Sequence, residues 1–280
     1  MVFLKILLTL DLICLVLALL YMLSMMAKRR PKSGFYGRLG DFHYAHRGLH
    51  AIAAGIPENS LRAFRLAANN GYAAELDVRL SRDGNLVVMH DESLKRTTGA
   101  NADISSVTSQ VLYQLTLEGT REKIPYLEDV LPLFQGKTPL LIELKPEKGN
   151  HDELTEKVTE LLRKYPDLDY MIESFDPRVL RWLRKHRPDI IRGQLSCNFF
   201  KDPAPLNKFQ QFVMTNLMCN FLTRPDFIAY KYEDRDCLAP QLCRRIWRTQ
   251  VFWWVVRSQE DANALIDQND MIIFEGFAAK

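Results

Sequence analysis

Glu75 and Asp77 stand two residues apart in the apolar segment AELDV, residues 74–78. In an extended strand, residues i and i+2 point to the same face of the sheet, so the two carboxylates should lie side by side. Burying two like charges together is costly unless a cation neutralises them. The pattern therefore indicates either a structural salt-bridge network, with Arg47 or Arg79 as a partner, or a site for a cation.

A third carboxylate and a lysine alternate in the same way along a second apolar segment, LIELK, residues 141–145. In a barrel interior, such residues are tolerated near the C-terminal mouth. Three converging carboxylates form the coordination set of a hard divalent cation, Mg²⁺ or Ca²⁺, whose other positions are filled by water or substrate oxygens. This second segment favours a metal site held by Glu75, Asp77 and Glu143 over a purely structural ion pair.

Two histidines lie at predicted strand ends, each followed by a charged residue, as His46-Arg47 and His90-Asp91. One histidine in such a place is more often a buried residue that is hydrogen-bonded to the backbone. Two of them, close to a cation site, are candidates for a general acid and a general base.

The chain has a globular composition, 47% hydrophobic and 25% charged, and its apolar runs alternate between strand and helix patterns. The predicted strands cover residues 42–45, 74–78, 86–89, 140–144, 170–174, 190–195, 227–230, 251–256 and 271–274. The predicted helices cover residues 60–69, 126–134, 153–164, 177–185, 240–248 and 258–267. Strands that alternate with helices pair in parallel, which predicts an α/β fold.

One pair of strands breaks this alternation, because residues 75–80 and 85–90 are joined only by SRDG. A parallel crossover needs a dozen or more residues, so the pair should form a hairpin with Asp83-Gly84 at its turn. If the centre lies between these two residues, Asp77 faces His90 across the hairpin.

The other eight strands match the number that closes a (β/α)8 TIM barrel. An open doubly wound sheet is the alternative, although no GxGxxG turn follows the first strand. The polar, irregular residues 93–122 predict a small insertion near the barrel mouth.

Residues 2–27 contain only two charged side chains, Lys5 and Asp11. A helix of this length reaches roughly 39 Å, enough to cross a bilayer core of about 30 Å. A cleavable signal peptide is the alternative, but its apolar region is usually shorter, and Met25 and Ala27 do not form the small-x-small cleavage pattern. We predict a transmembrane anchor over residues 1–27 and a basic juxtamembrane linker over residues 28–40.

The charges that flank the anchor predict its orientation. The segment KRRPK at residues 28–32 is far more basic than the other flank, which places the bulk of a single-pass cell-membrane protein in the cytoplasm. The five cysteines lack metal-ligand spacing and suit reduced, mostly buried thiols. The net charge is only +3 and the basic residues are scattered along the chain, so we predict no nucleic-acid binding.

Four segments closely resemble the glycerophosphodiester phosphodiesterase family: AHRG at 45–48, PENS at 57–60, ELDVRLSRDGNLVVMHDESLKRTTG at 75–99 and IELK at 142–145. The segment ESFDPRVLRWLRKHRPDI and Trp254 in FWWVV resemble it more loosely. The resemblance implies a TIM-barrel phosphodiesterase domain over residues 41–280. By the same match, the divalent metal lies on Glu75, Asp77 and Glu143, His46 and His90 act as acid and base, and Arg47 and Lys145 face the phosphate.

In that family the nucleophile is thought to be the substrate's own adjacent glycerol hydroxyl, giving a cyclic phosphate that water opens. No Ser or Cys nucleophile is then needed. The implied substrate is a small-molecule or lipid phosphodiester, and the products are glycerol 3-phosphate or a lysophosphatidic acid together with an alcohol. We interpret Asn59 as a helix cap, Glu58 as a partner of the site and Trp254 as part of the substrate pocket.

Two strand ends depart from the family's pattern, with WVVR at residues 254–257 for W-T-V-N and IIFEGF at 272–277 for ITD-x-P. These ends shape the pocket for the alcohol, so the sequence does not identify that alcohol. Arg257 and Glu275 are candidates either for a head-group contact or for a mutual ion pair. A phosphatidylinositol- or sphingomyelin-cleaving barrel is disfavoured by PENS and VVMHD. The remaining alternative is a non-catalytic, membrane-anchored barrel that binds a lipid head group or a partner.

Overall fold

Eight parallel strands close into a barrel in the computed structural model, which describes residues 2–27, 39–202, 204–268 and 270–280. The strands are β1 (Tyr44–Ala45), β2 (Ala73–Leu80), β3 (Leu86–Val88), β4 (Leu140–Leu144), β5 (Tyr170–Ser174), β6 (Arg192–Ser196), β7 (Phe227–Lys231), β8 (Gln250–Val256) and β9 (Met271–Phe274). Strand β1 pairs with both β2 and β9, which closes the barrel, and only β3 is antiparallel to its neighbour. The predicted TIM barrel is confirmed, and the open sheet is excluded.

The α-helices that follow the barrel strands pack around them, and eleven α-helices in all lie in the described residues. They are α1 (Val2–Ser24), α2 (Leu61–Asn69), α3 (Lys95–Thr98), α4 (Ser109–Leu112), α5 (Leu127–Phe134), α6 (His151–Leu162), α7 (Pro177–His186), α8 (Lys208–Thr215), α9 (Asn220–Thr223), α10 (Leu238–Arg245) and α11 (Gln259–Ile266). Helices α8 and α9, between β6 and β7, were not predicted. Their apolar residues do not mark a buried face, since α8 buries Gln211 and Thr215 and exposes Phe209 and Phe212.

The hairpin forms, but the predicted register is wrong by one residue. Val78 faces Val88, and the backbone N–H of Met89 donates to the carbonyl of Asp77 at 2.9 Å, so His90 lies one residue beyond the position opposite Asp77. The turn is centred on Asp83, because Ser81 and Asn85 close a three-residue loop instead of a two-residue one. Gly84 ends this loop at φ +74°, a left-handed conformation that glycine adopts without strain.

Residues 93–122, which the sequence predicts as an insertion, pack beside the hairpin. Leu94, Ile104 and Leu112 are buried with Val87 and Met89 in a cluster separate from the barrel core. Its apolar side chains are widely spaced in a polar sequence, so no period revealed the short helices α3 and α4.

Alternate strand residues point into the barrel or towards the helices. Tyr44, Leu141, Met171 and Phe252 belong to the inner cluster, whereas Ile142 belongs to the outer cluster beneath the helices. Glu143 therefore points inwards, above the apolar layer that contains Leu141. The interior is therefore a packed apolar layer with Glu143 on its mouth side.

Helix α1 is long and apolar enough to cross a membrane by length and composition. It ends at Ser24, before the predicted boundary at Ala27, and Met25 and Ala27 are buried against the domain. Most of the predicted linker, residues 28–38 with the basic cluster, lies outside the described residues. The five cysteines, all of which lie in described segments, are free thiols.

Candidate active site

Three carboxylates lie at one level on adjacent strands. The parallel register pairs Asp77 of β2 with Glu143 of β4, and Glu143 with Glu173 of β5. All three are buried, as is Glu75, one strand repeat below Asp77. Oxygens of Glu75, Asp77 and Glu143 lie within 4.8 Å of one another. The alternation seen in the sequence thus brings together the three predicted ligands.

Two cations contact this group within the described residues. Lys145 Nζ lies 2.8 Å from Glu143 Oε1 and 3.3 Å from Asp77 Oδ1, and Arg47 Nε lies 3.6 Å from Asp77 Oδ2. The backbone N–H of Arg47 donates to Glu75 Oε2 at 2.9 Å. Arg79, considered above as a structural partner, instead binds Glu147 and the carbonyl of His90.

The buried carboxylates differ in their proton affinity. Burial, followed by the nearby charges of Asp77 and Glu143, raises the pKa of Glu75 well above its ordinary value. Burial also raises the pKa of Glu143. Burial opposes ionisation of Asp77, but Lys145, His90 and Arg47 outweigh it and hold the pKa of Asp77 well below its ordinary value.

These donors fit a divalent cation. Asp77 Oδ1 accepts no hydrogen bond from a described residue, and hard carboxylate oxygens of this kind are the ligands preferred by Mg²⁺ and Ca²⁺. Four buried carboxyl groups, with Glu173 included, outnumber the two cations beside them. A divalent ion would relieve the repulsion that raises the pKa of Glu75.

Glu173 was missed by the sequence reasoning. It is 1% exposed, its Oε2 has no hydrogen-bond partner among the described residues, and burial raises its pKa well above the ordinary value. A signal was present, because YMIES places Glu173 after Met171 with the same alternation that places Glu143 after Leu141. A single acidic residue at the end of a strand did not stand out without the register.

His46 leaves β1 in a tight turn. Its backbone N–H donates to the carbonyl of Phe274 at 2.9 Å, which holds it against β9. Arg47 and Gly48 then adopt φ values of 54° and 79°. A Cβ on Gly48 would approach the backbone carbon of Ala63 to 2.9 Å, so the turn requires a glycine to pack on α2.

Glu275 orients the His46 ring. Its Oε2 lies 2.7 Å from His46 Nδ1, which leaves Nε2 as the nitrogen available for proton transfer. Burial lowers the pKa of His46 to about 4, although Glu275 opposes this shift. The hydrogen bond with His46 in turn lowers the pKa of Glu275 to about 2.

Arg257 and Glu275 do approach each other, at 3.8 Å, but neither role weighed above describes Glu275 fully. Its shorter contact is with His46, and Arg257 lies closer to Glu233, at 3.3 Å. His46, His50 and Glu275 also offer ligand atoms within 4.8 Å of one another. In the sequence, the sign of this contact was an acidic residue directly after the last strand. The turn that carries His46 lies beside that strand end.

His90 lies in a chain of charged contacts. Its Nδ1 is 2.6 Å from Asp91 Oδ1, and Asp91 Oδ2 accepts a hydrogen bond from Arg96 at 2.5 Å. Arg96 continues to Glu58, which also accepts from Arg47 Nη1 at 2.8 Å. The His90 side chain is 34% exposed, so it is more accessible than His46.

Glu58 and Asn59 contact the site through different groups. Glu58 joins Arg47 to Arg96, as a partner of the site should. The prediction that Asn59 caps the helix was wrong, because the cap of α2 is Ser60, whose hydroxyl accepts from the N–H of Ala63 at 3.1 Å. Asn59 is left-handed at φ 51° and points inwards, where its Nδ2 donates to Asp77 Oδ2 at 2.8 Å.

Trp254 lies in an aromatic wall across the mouth. The Phe175 ring packs edge to face against Trp254 and Phe199, with distances between ring centroids of 5.7 Å and 6.0 Å. Trp254 Nε1 is buried and has no hydrogen-bond partner among the described residues. The two phenylalanines were not predicted, since they follow their strands in loops without a period.

Known proteins share both this fold and parts of this sequence. Among solved structures, an Oleispira antarctica phosphodiesterase in complex with the product sn-glycerol-3-phosphate superposes with a TM-score of 0.70 at 25% identity, over 86% of this chain and 95% of its own. A glycerophosphodiester phosphodiesterase from Thermotoga maritima superposes with a TM-score of 0.63 at 28% identity, over 83% of this chain and 94% of its own.

Sequence relatives cover less of the chain. A glycerophosphodiester phosphodiesterase of Caldanaerobacter subterraneus is 32% identical over 54% of this chain and 65% of its own length. Human lysophospholipase D is 34% identical over 49% of this chain and 44% of its own length. The chain thus spans under two thirds of each of these two relatives. The model of the glycerophosphoryl diester phosphodiesterase family matches residues 46–229, and the chain therefore belongs to this family.

Proposed function

We propose that the protein hydrolyses glycerophosphodiesters, including lysophospholipids, in a reaction that depends on a divalent cation. The observation that carries this proposal is the convergence of Glu75, Asp77 and Glu143 in a barrel mouth that also holds His46 and His90. Family membership supports the same reaction class.

His46 is the general base of the first step. Burial keeps its imidazole neutral near pH 7, and Glu275 holds Nδ1 so that Nε2 can accept a proton. The proton comes from the substrate hydroxyl next to the phosphate. The oxygen of that hydroxyl bonds to phosphorus as the bond to the leaving alcohol breaks.

His90 is the general acid of the same step. Asp91 Oδ1 accepts from Nδ1 and holds the ring in place, and Nε2 gives a proton to the leaving alkoxide. Water then opens the cyclic phosphate with the two roles reversed, so both histidines return to their starting states. The products are a phosphomonoester and an alcohol.

Charge at phosphorus is stabilised by the groups around it. Arg47 and Lys145 hold positive charge beside the carboxylates, and we place the phosphate against both. Glu75, Asp77 and Glu143 would hold the metal, with Ca²⁺ and Mg²⁺ as the candidates, and its Lewis acidity would stabilise additional negative charge on phosphate oxygens.

The proposed location at the membrane favours lipid substrates in addition to soluble ones. We propose that α1 anchors the barrel to the cell membrane and that the domain faces the cytoplasm, as the basic segment after the anchor predicts. Human lysophospholipase D, one of the similar proteins, is named for activity on lysolipids. Trypsin digestion of inverted membrane vesicles tests the orientation, and protection of the domain there would overturn the cytoplasmic assignment.

The activity is tested with the full-length protein in detergent micelles. Release of glycerol 3-phosphate from glycerophosphocholine, and of lysophosphatidic acid from lysophosphatidylcholine, is measured with Ca²⁺, Mg²⁺ or EDTA. We expect turnover that EDTA abolishes and that His46→Ala reduces by about 10²- to 10⁴-fold, the usual loss on removing a general base. His186→Ala, an exposed histidine on α7, is the matched control and should retain full activity.

A second result separates catalysis from binding. If the folded protein binds the cation and a lipid head group but releases no product, the proposed hydrolysis is wrong. The non-catalytic binding barrel is then the better description.

A further inference from the structure

We infer that the barrel mouth faces the lipid bilayer and that an apolar rim beside it lies in the membrane interface. The rim consists of Phe200, Phe209, Phe212 and Leu238. This inference rests on the proposed membrane anchoring, and it names the surface of the domain that meets the lipid.

The end of the anchor is fixed to the outer wall of the barrel. The carbonyl of Met25 accepts from Asn220 Nδ2 at 3.1 Å, and Cys243 Sγ lies 3.6 Å from the same oxygen. Met25 is fully buried. The anchor therefore enters the domain between α9 and α10, and its direction relative to the strands is defined.

Two contacts set that direction. Ala27 lines a cavity with Arg192 and Arg224, which lie at the N-terminal ends of β6 and β7. Tyr21 instead donates its hydroxyl to Asn216 Oδ1 at 2.7 Å.

Asn216 lies near the opposite ends of these strands. Its neighbour Thr215 is bonded to Phe199, in the loop after β6, and to the hydroxyl of Tyr230 near the end of β7. Followed from Ala27 back to Tyr21, the chain runs from the N-terminal ends of the strands towards the mouth. The rest of α1 then projects past the mouth.

The length beyond the mouth matches a membrane. Residues 2–20 are all exposed, and Tyr21 is the first partly buried residue of the helix. From Val2 to Tyr21 the helix is about 28 Å long at 1.5 Å per residue, close to the hydrocarbon thickness of about 30 Å. The bilayer surface therefore falls near the level of Tyr21, which is the level of the mouth.

Exposed apolar side chains lie on the segments that follow the mouth ends of β6 and β7. The exposed fractions of Phe200, Phe209, Phe212 and Leu238 are 52%, 74%, 44% and 62%. Phe200 follows β6, Phe209 and Phe212 lie on α8, and Leu238 begins α10 after the loop that leaves β7. Large apolar residues grouped on a surface mark an interaction site, and aromatic rings favour the membrane interface.

Lipid crosslinking tests the placement without requiring activity. The full-length protein is reconstituted in nanodiscs of phosphatidylcholine and phosphatidylglycerol, with p-benzoylphenylalanine in place of Phe209, Leu238 or Ile246. Ile246 is the matched control, because it is 52% exposed and follows the far end of α10. After irradiation, we expect phospholipid mass adducts at 209 and 238 and at least tenfold fewer at 246.

A probe at Leu12, in the middle of α1, reports insertion. Adducts at 12 with none at 209 or 238, or equal adducts at 209 and 246, overturn the proposed orientation. An absence of adducts at 12 shows that α1 does not insert, which overturns the anchor and the orientation together while leaving turnover of soluble substrate as a separate result.

Kinetics give a second readout. In the same nanodiscs, the double variant Phe209→Ser, Phe212→Ser should turn over lysophosphatidylcholine about tenfold more slowly, because the mouth loses its hold on the lipid surface. Its turnover of glycerophosphocholine should be unchanged. An equal loss on both substrates, or no loss on the lysolipid, contradicts the inference.

Discussion

The two sides of the barrel mouth are built in different ways. On one side, Asp77, Glu143 and Glu173 share a level because three parallel strands fix their register, and charged partners surround them. On the other side, Phe175 and Phe199 come from loops, and the Phe175 ring packs edge to face against both Phe199 and Trp254. In the proposed reaction, the charged side would bind the phosphodiester and the aromatic side the part of the substrate that varies.

Glu75→Gln should produce the largest effect, on the charged side. We expect kcat/KM to fall by about 10³-fold, since loss of a metal ligand removes several kcal/mol of transition-state stabilisation. Steady-state assays at saturating Mg²⁺ or Ca²⁺ measure this loss. Glu153→Gln, an exposed carboxylate on α6, is the control.

The same substitution should stabilise the metal-free protein. The pKa of Glu75 is raised in the folded state, so the folded protein binds more protons than the unfolded chain above pH 4.5 and loses stability as the pH rises from there. Gln removes this cost, so Tm in EDTA at pH 7 should rise and the added cation should shift Tm less than in the wild type. A lower Tm in EDTA would mean that Glu75 is structural.

Glu275→Gln should have an intermediate effect. It removes the carboxylate that holds His46 Nδ1, and loss of such an orienting partner costs about 10- to 100-fold. Glu275 raises the pKa of His46 against the larger effect of burial, so the variant's pKa should fall below about 4. The acid limb of the kcat/KM profile should therefore move to lower pH while the plateau drops. A lower plateau with an unmoved limb would remove His46 from the role of base.

The charged side could be predicted because its chemistry is local in sequence. ELD places two carboxylates two residues apart, and IELK does the same for a carboxylate and a lysine. The strand period therefore puts each pair on one face of the sheet. Glu173 lacked a second acidic residue on its strand, and only the register pairs it with Glu143. Asn59 was assigned to the wrong task because Ser60, the next residue, is an equally good helix cap.

The aromatic side depends on loop conformation, which has no period to read. Phe175 and Phe199 stand one residue and three residues beyond their strands, and nothing in the sequence distinguishes them from exposed phenylalanines such as Phe200. Helix α8 was missed for a related reason, because its apolar residues face outwards. The surface proposed above to meet lipid therefore shows the reverse of the pattern by which buried faces are recognised.

Trp254→Ala should have the smallest effect and should separate the two sides of the mouth. Loss of one wall of the pocket weakens substrate binding by roughly 1.4 kcal/mol, so KM for glycerophosphocholine should rise about tenfold. The charged groups at the ends of β1, β2, β3 and β4 lie outside this wall, so kcat should change by no more than about twofold. Trp254→Phe is the matched variant, since it keeps a ring that can pack on Phe175 but removes the unpartnered Nε1–H. If KM rises as much with Phe as with Ala, the indole N–H binds the substrate directly; if it rises only with Ala, packing of the ring is what matters.

A fall in kcat comparable to that of Glu75→Gln would show that the aromatic wall also positions the phosphate, and the division between the two sides would not hold.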